Sequence, residues 1–131
     1  MIVLDTHSWV WWVSGDSRLS ATAHDAITKA AVESQLHISA ISAWEVALLV
    51  AKGRLELTID VNDWISHSEA LPFLRFIPID HRLAVRSVQL NGYPHSDPAD
   101  RIIIATALSI GAPIVTKDQK IRDYSAVETI W

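Results

Sequence analysis

The sequence predicts an α/β fold: a three-layer α/β/α sandwich around a central parallel sheet of about five strands. Three observations predict it. Apolar runs of three to five residues recur along the chain, short and unbroken as in strands buried on both faces. These runs alternate with longer stretches that carry helical spacing and helix start or stop signals. The 131 residues contain no repeat, low-complexity tract or linker-like stretch, which fits one domain over residues 1–131. Strands alternating with helices form βαβ units, whose crossovers make a sheet parallel and cover its faces.

The elements follow in order. Ile2-Val3-Leu4 is a buried strand ending at Asp5, and residues 6–13 form a helix stopped at Ser14-Gly15. Ser20 caps a helix running to about residue 33. Residues 37–40 are a short strand, followed by a helix over 42–52 that Gly53 closes. Residues 61–71 are helical and stop before Pro72. Residues 76–79 form a strand, and Asp80 caps a helix over 81–90. Asn91-Gly92-Tyr93-Pro94 is a loop. Residues 98–110 are a helix ending at Gly111, 113–116 a strand, and 127–130 a last strand.

Composition narrows the chemistry. Cysteine is absent, which excludes disulfides, zinc–thiolate sites and thiol catalysis together. The six histidines show no H-E-x-x-H spacing, and no G-x-S-x-G, G-x-x-x-x-G-K-[ST] or G-x-G-x-x-G occurs. A zinc hydrolase, a serine hydrolase and a nucleotide cofactor are therefore unsupported. The N-terminus lacks a basic start with a long apolar stretch, and the longest apolar run in a helical pattern, residues 46–51, is too short for a bilayer. The expectation is a soluble, cytoplasmic protein without a membrane partner. Fifteen acids against eleven Lys and Arg give a net charge of −4, at first sight wrong for nucleic acid. That objection weakens if several acids share one metal site, because a bound cation inverts the local charge.

Ligands of open parallel sheets bind beyond the carboxyl ends of the strands. Asp5 directly follows the first strand, and Asp118 lies two residues past the strand 113–116. Glu45 opens the helix after the second strand; Asp97 and Asp100 open the helix before the fourth. Clustered carboxylates resist ionising unless a cation neutralises them, and Mg²⁺ or Mn²⁺ with oxygen ligands is the usual solution. Each acid also has a structural reading. Ser42-Ala43-Trp44-Glu45 reads as a capping box, and Asp97-Pro98 as an N-cap with proline at N1. Asp100 suits the first turn of that helix, and Asp118 could begin a turn. Asp5 alone has no cap nearby to explain it.

Leu4-Asp5-Thr6-His7, Ser42-Ala43-Trp44-Glu45, His95-Ser96-Asp97-Pro98-Ala99-Asp100-Arg101 and Thr116-Lys117-Asp118 resemble, in order and spacing, the PIN-domain nucleases. The nearest match is the VapC-type toxins of toxin–antitoxin pairs, and it covers essentially the whole chain. The resemblance implies Mg²⁺- or Mn²⁺-dependent endoribonuclease activity leaving 5′-phosphate and 3′-hydroxyl ends. It also implies a homodimer and a cognate antitoxin. Carried over by position, Asp5, Glu45, Asp100 and Asp118 match the acidic quartet that would bind metal. Thr116 matches a supporting hydroxyl, and Asp97, a position acidic in one subgroup, Thr6 and Arg101 stand beside the quartet. Ala99 departs from the family, in which many members carry Phe.

Arg101 could hold the Asp100 carboxylate or a phosphate, and Lys117 could contact phosphate; His7 and His95 lie near the proposed site. Trp9, Trp11 and Trp12 point in different directions on one helix, so Trp11 is expected at an interface. The alternative to a nuclease is a non-catalytic α/β regulatory or RNA- or protein-binding module with an acidic Mg²⁺ pocket. A receiver-like regulator wants an acidic pair after the first strand and an acceptor Asp after the third. Here Asp5 stands alone, and Asp80 already suits a cap. A haloacid-dehalogenase-like phosphatase wants D-x-D, which Asp5-Thr6-His7 lacks.

Overall fold

The computed structural model describes all residues, Met1–Trp131. Strands β1 (Ile2–Leu4), β2 (Leu36–Ser39), β3 (Leu74–Ile77), β4 (Ile114–Val115) and β5 (Thr129–Ile130) form one sheet. All neighbours are parallel, in the order β3-β2-β1-β4-β5. Between β1 and β2 lie α1 (Thr6–Ser14) and α2 (Ala21–Val32); between β2 and β3 lie α3 (Ala40–Ala51) and α4 (Val61–Glu69). The return from β3 to β4 carries α5 (His81–Val88) and α6 (Pro98–Ile110), and α7 (Gln119–Arg122) leads to β5. No helix is long and apolar enough to cross a membrane.

Strand alternation sorts the core onto two faces. Ile2, Leu4 and Val115 join Trp9, Ile27, Val46 and Trp64 from α1 to α4 in a cluster of 14 buried residues. Val3 and Ile114 point the other way, to Ile103, Ile104 and Ile121 from α6 and α7, in a cluster of 11. The chain builds outward from β1 to β2 and β3, then returns to lay β4 on the other side of β1. That reversal opens a crevice at the carboxyl ends of β1 and β4, the switch point where such sheets bind ligands.

The helices start and stop where local chemistry dictates. Ser20 Oγ accepts from Ala23 N at 3.0 Å, and Asp80 Oδ1 from Leu83 N at 2.8 Å. The helix over 98–110 stands where expected, between the Asp97 cap and Gly111, whose φ of 66° closes it. Some boundaries moved. The expected helix over 42–52 begins at Ala40, because Ser39 Oγ accepts from Ile41 N at 3.3 Å and caps it earlier. The third strand starts two residues early, at Leu74, which is buried in the core. The fourth pairs only over Ile114–Val115; Pro113 before it has no N–H to give a ladder. The four-residue α7 was not expected, being too short to show a helical period.

The reading of Trp11 is corrected. The helix α1 is enclosed on several sides, so its indoles can point apart and still be covered. Trp9 is fully buried, its ring 4.6 Å from that of Trp64 and 5.5 Å from that of Phe76. Trp12 packs on Phe73. Trp11 is only 9% exposed, covered by Trp131 at 5.9 Å and by the Arg18 guanidinium at 5.1 Å. The tryptophan left in solvent is Trp44 on α3, 56% exposed.

Candidate active site

Five carboxylates meet at the crevice. Asp5, Glu45, Asp97, Asp100 and Asp118 line one cavity of about 420 Å³, together with His7, Lys117, Lys120 and, as the sole apolar wall, Trp11. The elements bring them there one by one. Asp5 ends β1, and its backbone N–H donates to the Val115 carbonyl of β4 at 3.0 Å. Ser8 Oγ donates to that same carbonyl at 2.8 Å, which ties α1 to the end of β4.

Asp5 is held at both oxygens. Oδ1 accepts from Thr6 N at 2.7 Å, and Oδ2 accepts from Thr116 Oγ1 at 2.6 Å. The carboxylate therefore does cap a helix, α1, contrary to the sequence reading that found no cap for it. Thr116 in turn accepts from Asp118 N at 3.0 Å, so one hydroxyl positions both acids. Asp118 caps α7, its Oδ1 accepting from Lys120 N at 3.0 Å.

Glu45 does not form the expected capping box. The helix α3 starts earlier than Ser42, which puts Glu45 in its second turn, pointing at α1. There Thr6 Oγ1 donates to Glu45 Oε1 at 2.6 Å and stands 2.8 Å from the buried Ser42 Oγ. Asp97 Oδ1 accepts from Asp100 N at 3.0 Å as the cap of α6, while its own side chain stays at the open rim. Asp100, 9% exposed, lies deeper, with Lys120 Nζ 3.7 Å from its Oδ2.

Arg101 serves neither role foreseen for it. Its Nε, Nη1 and Nη2 donate to the carbonyls of His95, Ser87 and Tyr93 at 2.7, 3.2 and 2.8 Å. The guanidinium also lies 5.4 Å from the Tyr93 ring. It fixes the loop before α6 and is paired with no carboxylate. His7 does line the cavity, whereas His95 meets Tyr93 edge-on, ring centres 5.2 Å apart. Lys117 also reaches it, its Nζ 5.9 Å from the Trp11 ring. Sequence reasoning passed over Lys120 and gave Ser42 a capping role, whereas its hydroxyl meets Thr6. Lys120 could have been found had Asp118 been read as a helix cap, which places Lys120 in the first turn beside the acids.

The electrostatics are those of negative charge without enough compensation. Burial raises the Asp5 pKa above the usual carboxylate range, against the hydrogen bonds from Thr116 and Thr6. Burial also raises Glu45, with the charges of Asp5 and Asp97 adding to it. Asp100 is pushed up to about 7, first by burial and then by Asp97, Asp5 and Asp118; Lys120 opposes this only in part. A divalent cation would relieve all three together.

The donor set fits such an ion. It is all oxygen, the choice of hard cations. Nowhere do three or more His, Asp or Glu side chains close up into a chelating cage. An open acidic basin is the form that suits Mg²⁺, which keeps several waters and takes one or two carboxylates plus substrate phosphate.

Comparison with known proteins gives consistent matches over the whole chain. A family model described as PIN domain matches residues 2–127. Ribonuclease VapC22 of Mycobacterium tuberculosis is 35% identical over 132 residues, spanning 99% of this chain and 98% of that protein. Among solved structures, the toxin–antitoxin complex from Klebsiella pneumoniae matches at a TM-score of 0.64 and 25% identity, covering 95% of this chain and 92% of that one. FitAcB from Neisseria gonorrhoeae matches at 0.70 and 24%, covering 98% and 96%. VapBC2 from Rickettsia felis bound to a DNA fragment from their promoter matches at 0.71 and 17%, covering 98% and 97%.

Proposed function

The chain belongs to the PIN-domain family, and from that premise we propose that it is a ribonuclease serving as the toxin of a toxin–antitoxin pair. The observation that carries the chemistry is the convergence of Asp5, Glu45, Asp100 and Asp118 on one cavity at the switch point of the sheet. The substrate is RNA, the reaction is metal-dependent hydrolysis of an internal phosphodiester, and the partner is a cognate antitoxin. We propose also that the protein works as a homodimer, as the family resemblance implies.

In this reading Asp5 and Asp100 hold Mg²⁺ or Mn²⁺, helped by Glu45 and Asp118. Such an ion, once bound, would supply a water activated near neutral pH and a positive charge on the phosphate. The rest falls to the chain. Thr116 and the Thr6 amide fix both Asp5 oxygens, so that carboxylate cannot rotate away from the cavity. Thr6 holds one oxygen of Glu45 and leaves the other toward the basin. Lys120, close to Asp100 and half-exposed, can shift from the carboxylate onto a phosphate oxygen when substrate arrives. Trp11 walls the cavity on one side, lowering water access and strengthening charge–charge contacts inside.

The test uses purified protein and a panel of labelled RNAs, in Mg²⁺ or Mn²⁺ and in EDTA, beside Asp100→Asn. Cleavage by the wild type that disappears in EDTA and in the variant is the expected result. Cleavage persisting in either would overturn the metal mechanism. Light scattering on the same preparation tests the homodimer.

A further inference from the structure

A second cavity, of about 260 Å³, borders the acidic one, and the two share Glu45 and Asp97 as lining. The second cavity carries the most exposed aromatic ring of the molecule, Trp44, with Leu48 beside it on α3. At its far side stand Lys52 and Arg54, both exposed and neither within salt-bridge distance of a carboxylate. The chain's own packing leaves the Trp44 ring uncovered. A tryptophan with more than half its surface in water loses the burial that stabilises such side chains elsewhere in this protein. Lys52 sits at the C-terminus of α3, where its charge favours the helix dipole, but neither it nor Arg54 is paired with a carboxylate.

We propose that this groove seats the single-stranded RNA flanking the cut, with Trp44 as a stacking platform for one base and Lys52 and Arg54 as phosphate contacts. The inference rests on the nuclease reading above and names a substrate path for it. Charge decides the occupant. A flat aromatic face followed by unpaired cations matches the alternation of base and phosphate along a single strand. Glu45 and Asp97, which line both cavities, place that strand on course to the acids. Against the chain's net charge of −4, local cations help to draw in a polyanion, and here two of them lie together in this groove.

The test measures binding and cleavage separately. An uncut labelled RNA that the wild type cleaves is titrated against Asp100→Asn protein, and against the same protein carrying Trp44→Ala, or Lys52→Ala with Arg54→Ala. Stacking of this kind predicts about tenfold or greater weakening for Trp44→Ala, with Trp44→Phe retaining most of the affinity. Loss of two phosphate contacts predicts a shallower salt dependence, by about 1.4 in the slope of log K against log salt. On the Asp100-intact background the defect falls on KM rather than kcat. It also vanishes for an RNA shortened on the side that reaches the groove.

Trp44 is exposed, so these variants should melt like their parent, which a thermal scan verifies. Wild-type cleavage with unchanged KM and binding in every groove variant overturns this inference and leaves the nuclease reading intact. A wild type that neither binds nor cuts any RNA overturns both. If Trp44→Ala instead converts a dimer to a monomer while RNA binding is unchanged, the surface belongs to a second copy, and the inference falls.

Discussion

Removing the charge of Asp100 should stabilise the metal-free protein at alkaline pH, and the size of the effect follows from its surroundings. The folded carboxyl titrates at about 7, against 3.8 for an ordinary one. The folded state thus keeps a proton that the unfolded chain has lost, so stability falls as pH rises from about 3.8 through 7 and is flat above. At face value the shift of about three units corresponds to ~4 kcal/mol at pH 8. Water at the open mouth of the cavity screens the carboxylate, and about half that figure is the better expectation. Between pH 5 and pH 8 roughly 1 kcal/mol should be lost, which for a chain of this size lowers Tm by about 3–4 °C. Asp100→Asn keeps the shape and the backbone cap partner, so its Tm at pH 8 should exceed that of the wild type by several degrees. The pH dependence should shrink rather than vanish, since Asp5 and Glu45 are raised too and act with the same sign. Millimolar Mg²⁺ should raise the wild-type Tm at pH 8 and leave the variant nearly unmoved. The assay is differential scanning calorimetry at both pH values, with and without the ion. An identical pH 5 to 8 loss in wild type and variant would refute the electrostatic reasoning.

Other perturbations have equally definite outcomes. Thr116→Val removes the 2.6 Å donation to buried Asp5 and should cost about 2 kcal/mol in urea denaturation, with at least tenfold slower RNA cleavage, while Thr116→Ser retains most of both. Tyr93→Phe deletes a buried hydroxyl that has no partner and should stabilise the protein by about 1 kcal/mol at pH 7. Burial and the nearby carboxylates push the Tyr93 phenol up to about 12, so the wild type should lose stability from pH 10 to 12 and the Phe variant less, read by thermal melts. Trp9→Ala empties the centre of the larger cluster and breaks the 3.0 Å bond to Ser68, for an expected loss of about 3–5 kcal/mol in urea denaturation.

The parallel sheet was legible in the sequence because its strands are unbroken apolar runs, and so was the α6 helix, whose Asp97-Pro98 start and Gly111 stop are local signals. The approach of Asp5, Glu45, Asp100 and Asp118 to one edge followed from their positions at strand and helix ends. Partner choice was the part that local pattern could not give. Glu45 satisfied a capping-box spacing on paper, yet Ser39 captured the helix start and freed Glu45 for Thr6, 39 residues away. Arg101 follows Asp100 in sequence, but adjacent helical residues point apart, and the nearest acceptors were carbonyls of α5 and of the loop before α6. Trp11 was misjudged because periodicity counts one buried face, whereas α1 is enclosed by Trp131 and Arg18 as well.

The bond between Asp5 and Thr116 spans 111 residues of chain and links the central strand to one of the last. A nascent polypeptide that has emerged only through α6 carries Asp5, Glu45, Asp97 and Asp100, yet it lacks the hydroxyl that anchors Asp5, the fourth acid and the strand that closes the crevice. The acidic crevice therefore becomes complete only when synthesis is nearly finished, since Thr116, Asp118 and β4 all lie close to the end of the chain.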